Sequence, residues 1–252
     1  MSDHRNELLY DDPDLAQFYD AANRWDADFD YCASLAENAE SVLDLGCGTG
    51  EFASALAGSA KIKRIVGVDP AAAMLDIARK RPGGDKVTWV QGDARSVRLG
   101  ARFDLVVLTG HAFQVFLETG DQQAVLATIA AHLKQGGRFI FDSRNPASGI
   151  KENRTRHDAV RRFDHPRLGE VEAWNVSSYD PQTQILTYEN GYRILRTGQD
   201  YSGSARIRYT SQEELADLIR SAGLVVERWL GDWQGNPYHS GAKEIIPLGR
   251  LA

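Results

Sequence analysis

The sequence is poor in cysteine. Cys32 and Cys47 are its only thiols in 252 residues, too few for a disulfide framework or a cysteine-based metal site. Cations are outnumbered as well. There are 29 Lys and Arg against 35 Asp and Glu, a net charge of −6, with a pI near 5.5. Broad nucleic-acid affinity needs clustered cations that release counterions. The one basic stretch, Arg154 to Arg167, is interrupted by Asp158 and Asp164 and reads as a solvated, mobile segment. No apolar run is long enough to span a bilayer, and the first residues lack the charged-then-apolar pattern of a secretory leader. The expectation is a cytoplasmic protein that engages neither nucleic acid nor membrane and binds no metal.

Against these absences stands the run Val42-Leu43-Asp44-Leu45-Gly46-Cys47-Gly48-Thr49-Gly50. It reads as a buried strand breaking into a glycine turn, with a helix opening at Glu51. In open α/β sheets a strand, a glycine turn and a helix N-terminus form a cofactor pocket. Gly46 and Gly48 let the backbone turn sharply and approach a ligand, and Gly50 lets the next helix pack close. The dinucleotide fingerprint G-x-G-x-x-G is the nearest competitor. The third glycine here falls one residue early, and Glu51 would set a carboxylate beside a pyrophosphate. A nicotinamide oxidoreductase is disfavoured on that count.

A second strand, Arg64 to Asp69, ends in an acid about twenty residues past the glycines, the spacing of a ribose-binding carboxylate. Pro70 then starts a helix over Ala71–Arg81, in which Met74 either meets a ligand ring or fills the core. A third strand leads into Gly92-Asp93-Ala94. A fourth, Phe103 to Leu108, is followed by Thr109-Gly110-His111-Ala112. A helix is expected over Asp121–Gln135, ended by Gly136-Gly137. A fifth strand, Arg138 to Asp142, is followed by Ser143-Arg144-Asn145-Pro146.

In this order the runs from Leu43 to Pro146 resemble the motifs of class I S-adenosylmethionine-dependent methyltransferases. The resemblance implies an α/β, Rossmann-like, seven-stranded, mostly parallel sheet in the order 3-2-1-4-5-7-6, with helices on both faces. It implies that S-adenosylmethionine binds and leaves as S-adenosylhomocysteine. The residues implied to hold it are Asp44, Leu45, Gly46, Cys47, Gly48, Gly50, Asp69, Pro70, Met74, Gly92, Asp93, Ala94, Leu108 and Thr109. Asp93 would accept from the adenine amino group. The sulfonium tolerates the acidic neighbours Asp44 and Glu51. The motif Asn-Pro-Pro-Tyr, used by many members acting on DNA bases or amides, is absent.

The flanking segments complete the expected organisation. Residues 1–40 read as a helical cap, with Asp12 capping a helix that begins at Pro13 and Leu15, Phe18, Tyr19, Ala22 and Trp25 at helical spacing. By resemblance, Tyr19 and Arg24 would reach the methionine carboxylate. Residues 41–150 form the cofactor core. Residues 151–209 form an antiparallel insertion with strands at Glu170–Tyr179, Ile185–Arg196 and Ser204–Tyr209. This insertion resembles the lid of small-molecule and sugar N-methyltransferases. Residues 210–252 supply a helix opened by Thr210-Ser211-Gln212-Glu213 and two final strands.

Ligands of open sheets sit at the carboxyl ends of the strands. His111 is therefore the candidate general base, since histidine titrates near neutrality. Trp25, Gln114, Arg144, Asn145, Trp174 and Tyr192 are the candidate acceptor contacts. The expected activity is methyl transfer to nitrogen or oxygen of a small molecule by a monomer or homodimer. The rivals are a methyltransferase acting on protein or RNA, and a binding module without catalysis.

Overall fold

The computed structural model describes residues 8–149 and 153–252. Three one-turn helices come first: α1 (Leu8–Asp11), α2 (Pro13–Ala16) and α3 (Tyr19–Ala22), followed by α4 (Ala27–Ala36). The chain continues through β1 (Ser41–Leu45), α5 (Glu51–Leu56), β2 (Arg64–Asp69), α6 (Ala72–Ala78), β3 (Thr88–Gln91) and β4 (Phe103–Leu108). Next are α7 (Thr119–His132), β5 (Leu133–Phe141) and β6 (Ser143–Arg144). Then come β7 (Asn153–Arg154), β8 (Arg161–His165), β9 (Gly169–Asp180), β10 (Ile185–Ile194) and β11 (Gln199–Arg208). The chain ends with α8 (Gln212–Ser221), β12 (Leu224–Leu230) and β13 (Glu244–Leu251).

The larger of two compact units holds Trp25–Gly149 and Tyr209–Ala252. Its sheet runs β12-β13-β5-β4-β1-β2-β3, with β6 beside β13. This is the expected order, β12 and β13 being the sixth and seventh strands. Pairing is parallel from β5 through β4, β1 and β2 to β3 and antiparallel where β13 meets β5 and β12. Strand alternation sorts side chains to opposite faces. Leu43, Leu45, Val66, Val68, Val106, Leu108, Phe139 and Phe141 pack with Val125, Leu126 and Ile129 of α7 and Leu215 and Ile219 of α8. Val42, Ile65, Leu105, Val107 and Ile140 pack with Cys32 and Ala36 of α4 and Phe52 and Ala53 of α5. Each such side chain contributes about 1.5–3 kcal/mol on burial, so both sheet faces must be covered by helices. Residues 25–40 belong to this unit, although the sequence groups them with the preceding cap.

Three local expectations are corrected in this unit. The helix after β4 ends at His132, and Leu133 is already extended at φ −84°, ψ 136°, pairing with Phe103. The helical spacing of Leu133 yields there to the sheet, and Gly136 (φ +77°) makes the turn into the rest of β5. A Cβ on Gly137 would stand 2.7 Å from the Phe103 carbonyl oxygen. The α8 cap lies one residue later than expected: Ser211 Oγ accepts from the Glu214 N–H, and the Glu214 carboxylate accepts from the Ser211 N–H. The helix after β2 is shorter than expected, closing at Ala78.

The smaller unit combines the described residues up to Arg24 with those from Asn153 to Arg208. Its sheet runs β11-β10-β9-β7, with β8 also on β9, and all pairs are antiparallel. Asp12 caps α2 through the Asp14 N–H, as expected. The helical spacing that follows is nonetheless broken into single turns. β11 starts at Gln199, five residues before the expected Ser204, because the β10–β11 ladder runs unbroken from Ile194↔Gln199 to Ile185↔Arg208. The basic stretch is folded: β7 and β8 pair with β9. Its arginines find carboxylates there, Arg162 reaching Glu172 at 3.2 Å. Ladder hydrogen bonds and ion pairs override a composition that reads as mobile.

Candidate functional site

The carboxyl ends of β1 and β2 carry the glycine turn. Gly46, Gly48 and Gly50 all adopt left-handed backbone, at φ +78°, +52° and +73°, a region that costs other L-residues about 1–2 kcal/mol. The Gly46 and Cys47 N–H groups donate to the Val68 carbonyl, at 2.7 and 3.0 Å, which ties the turn to β2. A Cβ on Gly46 would meet Leu108 and Ala112 at 3.2 and 3.3 Å. The role of Gly50 is set by Trp89: a Cβ there would lie 2.4 Å from the indole and 2.8 Å from the Ala78 Cβ. Trp89 also crosses Gly67 and donates to the Gly84 carbonyl. The third strand thus reaches under the turn, a contact the motif reading did not contain.

Asp69 is buried and braced from both sides. Its Oδ2 accepts from the Gly48 N–H at 2.8 Å and its Oδ1 from the Ala71 N–H at 2.9 Å. Asp44 lies beneath the turn at 3% exposure. Burial, with the nearby Asp69 charge adding to it and a hydrogen bond from Ala53 opposing it, pushes the Asp44 carboxyl up to about 7. Cys47 is half-buried, and burial pushes its thiol up. Met74 is 2% exposed, which fits the core-filling alternative. At the end of β3, Ala94 is buried and Asp93 is paired with Arg95 through two of its guanidinium nitrogens, Arg95 also reaching Asp121. Burial pushes Asp93 up, but Arg95's hydrogen bonds and charge outweigh it and hold the carboxyl below its usual range. Glu51 lies 4.0 Å from Arg81, whose Nε donates to the Thr49 carbonyl.

The carboxyl ends of β4 and β5 and the amino end of the antiparallel β13 converge on His111. This residue is itself left-handed, at φ +61°. Its N–H donates to Asp142 Oδ1 at 3.0 Å. Its Nε2 lies 3.0 Å from Glu244 Oε2 and 3.4 Å from Asp142 Oδ2. Ligand atoms of these three residues lie within 4.8 Å of one another, and the short contacts describe a hydrogen-bonded cluster. Asp142 is 1% exposed. Burial raises its carboxyl and Glu244 adds to that, while His111 and Arg144 oppose it. Asp28, on α4, is also raised by burial, with Asp142 among the contributing charges.

The acceptor candidates separate once placed. Gln114 is fully buried, and its Oε1 accepts from Arg144 Nη1 at 3.0 Å, so Gln114 positions Arg144. Asn145 donates to the Ser240 and Ala242 carbonyls and accepts from the Ala147 N–H. These bonds use both its donors and tie the loop before β13 to the end of β5, so Asn145 is reassigned to architecture. Trp25 is 38% exposed, with its indole N–H on Asp30. In the smaller unit, Tyr192 stacks on Phe18 at 4.5 Å. Trp174 is covered by Arg156 at 3.7 Å and fills the space above Gly191. Both side chains are buried core, not a lining face. Tyr19 lies edge-on to Tyr10, and Arg24 is exposed.

The sequence reading left Asp142 and Glu244 out of the site. Asp142 had a signal, since it ends an apolar strand as Asp69 does. Glu244 had none: it reaches His111, 133 residues away, only because β13 inserts beside β5.

A glycine turn with an acid at the next strand end, on a sheet of this order, defines a methyltransferase. Residues 42–137 match the family described as Methyltransferase domain. Cypemycin N-terminal methyltransferase of a Streptomyces species is 31% identical over 81% of this chain and 80% of its own length. The chain therefore belongs to the class I S-adenosylmethionine-dependent methyltransferases, and its cofactor is S-adenosylmethionine. The fold agrees with that of the CcbJ methyltransferase from Streptomyces caelestis, at TM-score 0.74, 22% identity and 99% and 98% coverage of the two chains. It also agrees with CalS10, an amino pentose methyltransferase from Micromonospora echinaspora, at TM-score 0.68, 23% identity and 88% coverage of each. The residues present fit this cofactor. A Cβ at Gly46 would crowd Leu108 and Ala112 where the backbone is left-handed, and the loop's flanking carboxylates suit a sulfonium rather than a phosphate.

Proposed function

We propose that this chain transfers a methyl group to a nitrogen or oxygen of a small molecule by in-line displacement. The supporting observation is that the glycine turn and the His111 cluster sit at the carboxyl ends of adjacent strands of one sheet, where open sheets place their ligands. Asp69 would accept from the ribose hydroxyls, Asp93 and the Ala94 N–H would meet the adenine, and Gly46 and Gly48 would bring backbone against the methionine portion. Leu45, Leu108, Thr109, Gly92 and Pro70 would complete the walls. When bound, S-adenosylmethionine supplies an electrophilic methyl. The protein's part is to hold the acceptor in line with it and exclude water.

Nitrogen is the favoured acceptor atom. One relative that covers 81% of this chain is named for an N-terminus, and CalS10 is named for an amino pentose. No helix among the described residues is long and apolar enough to cross a membrane. The test is to supply methyl-labelled S-adenosylmethionine with matched amines and alcohols and to locate the label by NMR. Label on nitrogen or oxygen supports the reading. Transfer to carbon alone, or cofactor binding with no transfer to any small molecule, contradicts it.

A further inference from the structure

The chemistry of the acceptor follows from how His111 is tied. An imidazole nitrogen that faces an ionised carboxylate oxygen at hydrogen-bond distance carries the proton, because an ionised carboxylate only accepts. Nε2 of His111 faces Glu244 at 3.0 Å and Asp142 at 3.4 Å. With Glu244 ionised, that nitrogen is the donor of the pair, and it has no lone pair with which to take a proton from a substrate. The residue the sequence nominates as base is instead a clamp. Asp142 fixes the clamp from the other side by accepting the His111 N–H.

The group left to accept a proton is Glu244. Its side chain is 20% exposed, against 1% for Asp142, so it is the carboxylate of the cluster that a ligand can reach. Its second oxygen has no hydrogen-bond partner among the described residues. The charges around it are His111 from the loop after β4, Asp142 from the end of β5, Arg144 directly opposite on β6, and Asp28 of α4 beyond Asp142. The Arg144 guanidinium is held on Gln114. Two of these four groups are acids, and with Glu244 itself the carboxylates outnumber the one fixed cation, Arg144, so the surroundings favour a cation over an anion. An alcohol brings no charge to such a site, and a carboxylate is repelled.

We propose that the acceptor is an amine bound as its ammonium ion, that Glu244 accepts its proton, and that His111 and Asp142 position Glu244. This rests on the methyltransfer reading above and specifies its substrate class. The proton passes from R–NH₃⁺ to the Glu244 carboxylate, which frees the nitrogen lone pair. That pair forms the new N–C bond as the C–S bond breaks, its electrons staying on sulfur. The products are R–NH₂CH₃⁺ and S-adenosylhomocysteine, and the proton on Glu244 returns to solvent.

Two measurements test this. The first needs no acceptor: long-range ¹H–¹⁵N spectra of the ¹⁵N-labelled full chain saturated with S-adenosylhomocysteine, with the His111 ring assigned by loss in His111→Gln. A proton on Nε2 from pH 6 to 9 is expected, and an unprotonated Nε2 at pH 8 overturns the assignment. The second uses an amino sugar, an alanine-initiated dipeptide and benzylamine, each beside its hydroxyl or N-acetyl counterpart. Glu244→Gln should lower kcat on an amine at pH 7 by about 10²–10⁴-fold, the usual contribution of a positioned base. The deficit should shrink as pH approaches the amine's own pKa. Affinity for S-adenosylhomocysteine should be retained. An undiminished rate in Glu244→Gln at pH 7, methylation of a hydroxyl counterpart in preference to its amine, or activity abolished by a chelator and restored by Mg²⁺ or Zn²⁺ would each overturn the proposal. Failure of the wild-type protein to bind S-adenosylhomocysteine would instead sink the methyltransfer reading itself.

Discussion

The two halves of the strand-end region are built by different means. At β1 and β2 the backbone does the work: three left-handed glycines, two N–H groups on the Val68 carbonyl, and one carboxylate held by N–H groups from Gly48 and Ala71. At β4, β5 and β13 side chains do it: His111, Asp142 and Glu244 are brought together from three segments and held by one another. A backbone-built half accommodates a constant ligand, since main-chain geometry leaves little to vary. A side-chain-built half can be altered residue by residue on the same sheet, which is how one fold serves many acceptors.

Substitutions should therefore fail differently in the two halves. The largest effect is expected at Gly50. Alanine there combines left-handed strain of about 1–2 kcal/mol with overpacking against Trp89 and Ala78 of about 1–3 kcal/mol. Gly50→Ala should lose a total of about 2–5 kcal/mol in urea unfolding. A loss below about 0.5 kcal/mol, the range of a neutral surface substitution, would show that the turn is not backbone-limited.

Asp44 gives a pH test. Its folded carboxyl is raised from 3.8 to about 7, so its contribution to stability is complete below pH 3.8 and is lost as pH rises to about 7. At 1.36 kcal/mol per pKa unit the loss is about 4 kcal/mol. Relative to wild type, Asp44→Asn should gain stability as pH climbs from 4 to 8. Parallel Tm–pH curves for the two proteins would contradict the buried-acid account.

Asp69→Asn sets a side-chain NH₂ against the Gly48 N–H and removes a charged acceptor. Charged hydrogen bonds contribute about 1.5–3 kcal/mol, so S-adenosylhomocysteine affinity by calorimetry should fall about 10- to 150-fold. Unchanged affinity would place the ribose elsewhere. The smallest effect is expected at Gly110. It is left-handed at φ +68°, but a Cβ there meets nothing within 4 Å. Gly110→Ala should cost only the conformational strain, about 1–2 kcal/mol. A cost matching that of Gly50→Ala would erase the distinction between the halves.

The same contrast explains what could be read from residues alone. The glycine turn and Asp69 follow from short runs whose spacing along the chain is their geometry, and the sheet order follows from the family resemblance that those runs carry. Trp89 beneath Gly50 does not, because it depends on β3 packing across two strands. Leu133 kept helical spacing yet went to a strand, because pairing with Phe103 is a tertiary term that local periodicity does not contain. Asn145 and Gln114 carry side chains that look suited to a substrate, but burial turns their hydrogen bonds inward. His111 was found by its place after β4, while its partner Glu244 depended on an antiparallel insertion that no local pattern announces.

The central claim is that the turn at Gly46–Gly50, with Asp69, holds S-adenosylmethionine. Isothermal titration of the purified, ligand-free protein with S-adenosylhomocysteine tests it most directly. The account predicts one site of micromolar or tighter affinity that is weakened in Asp69→Asn. No detectable binding by protein shown to be folded would mean that the glycine turn is architecture alone.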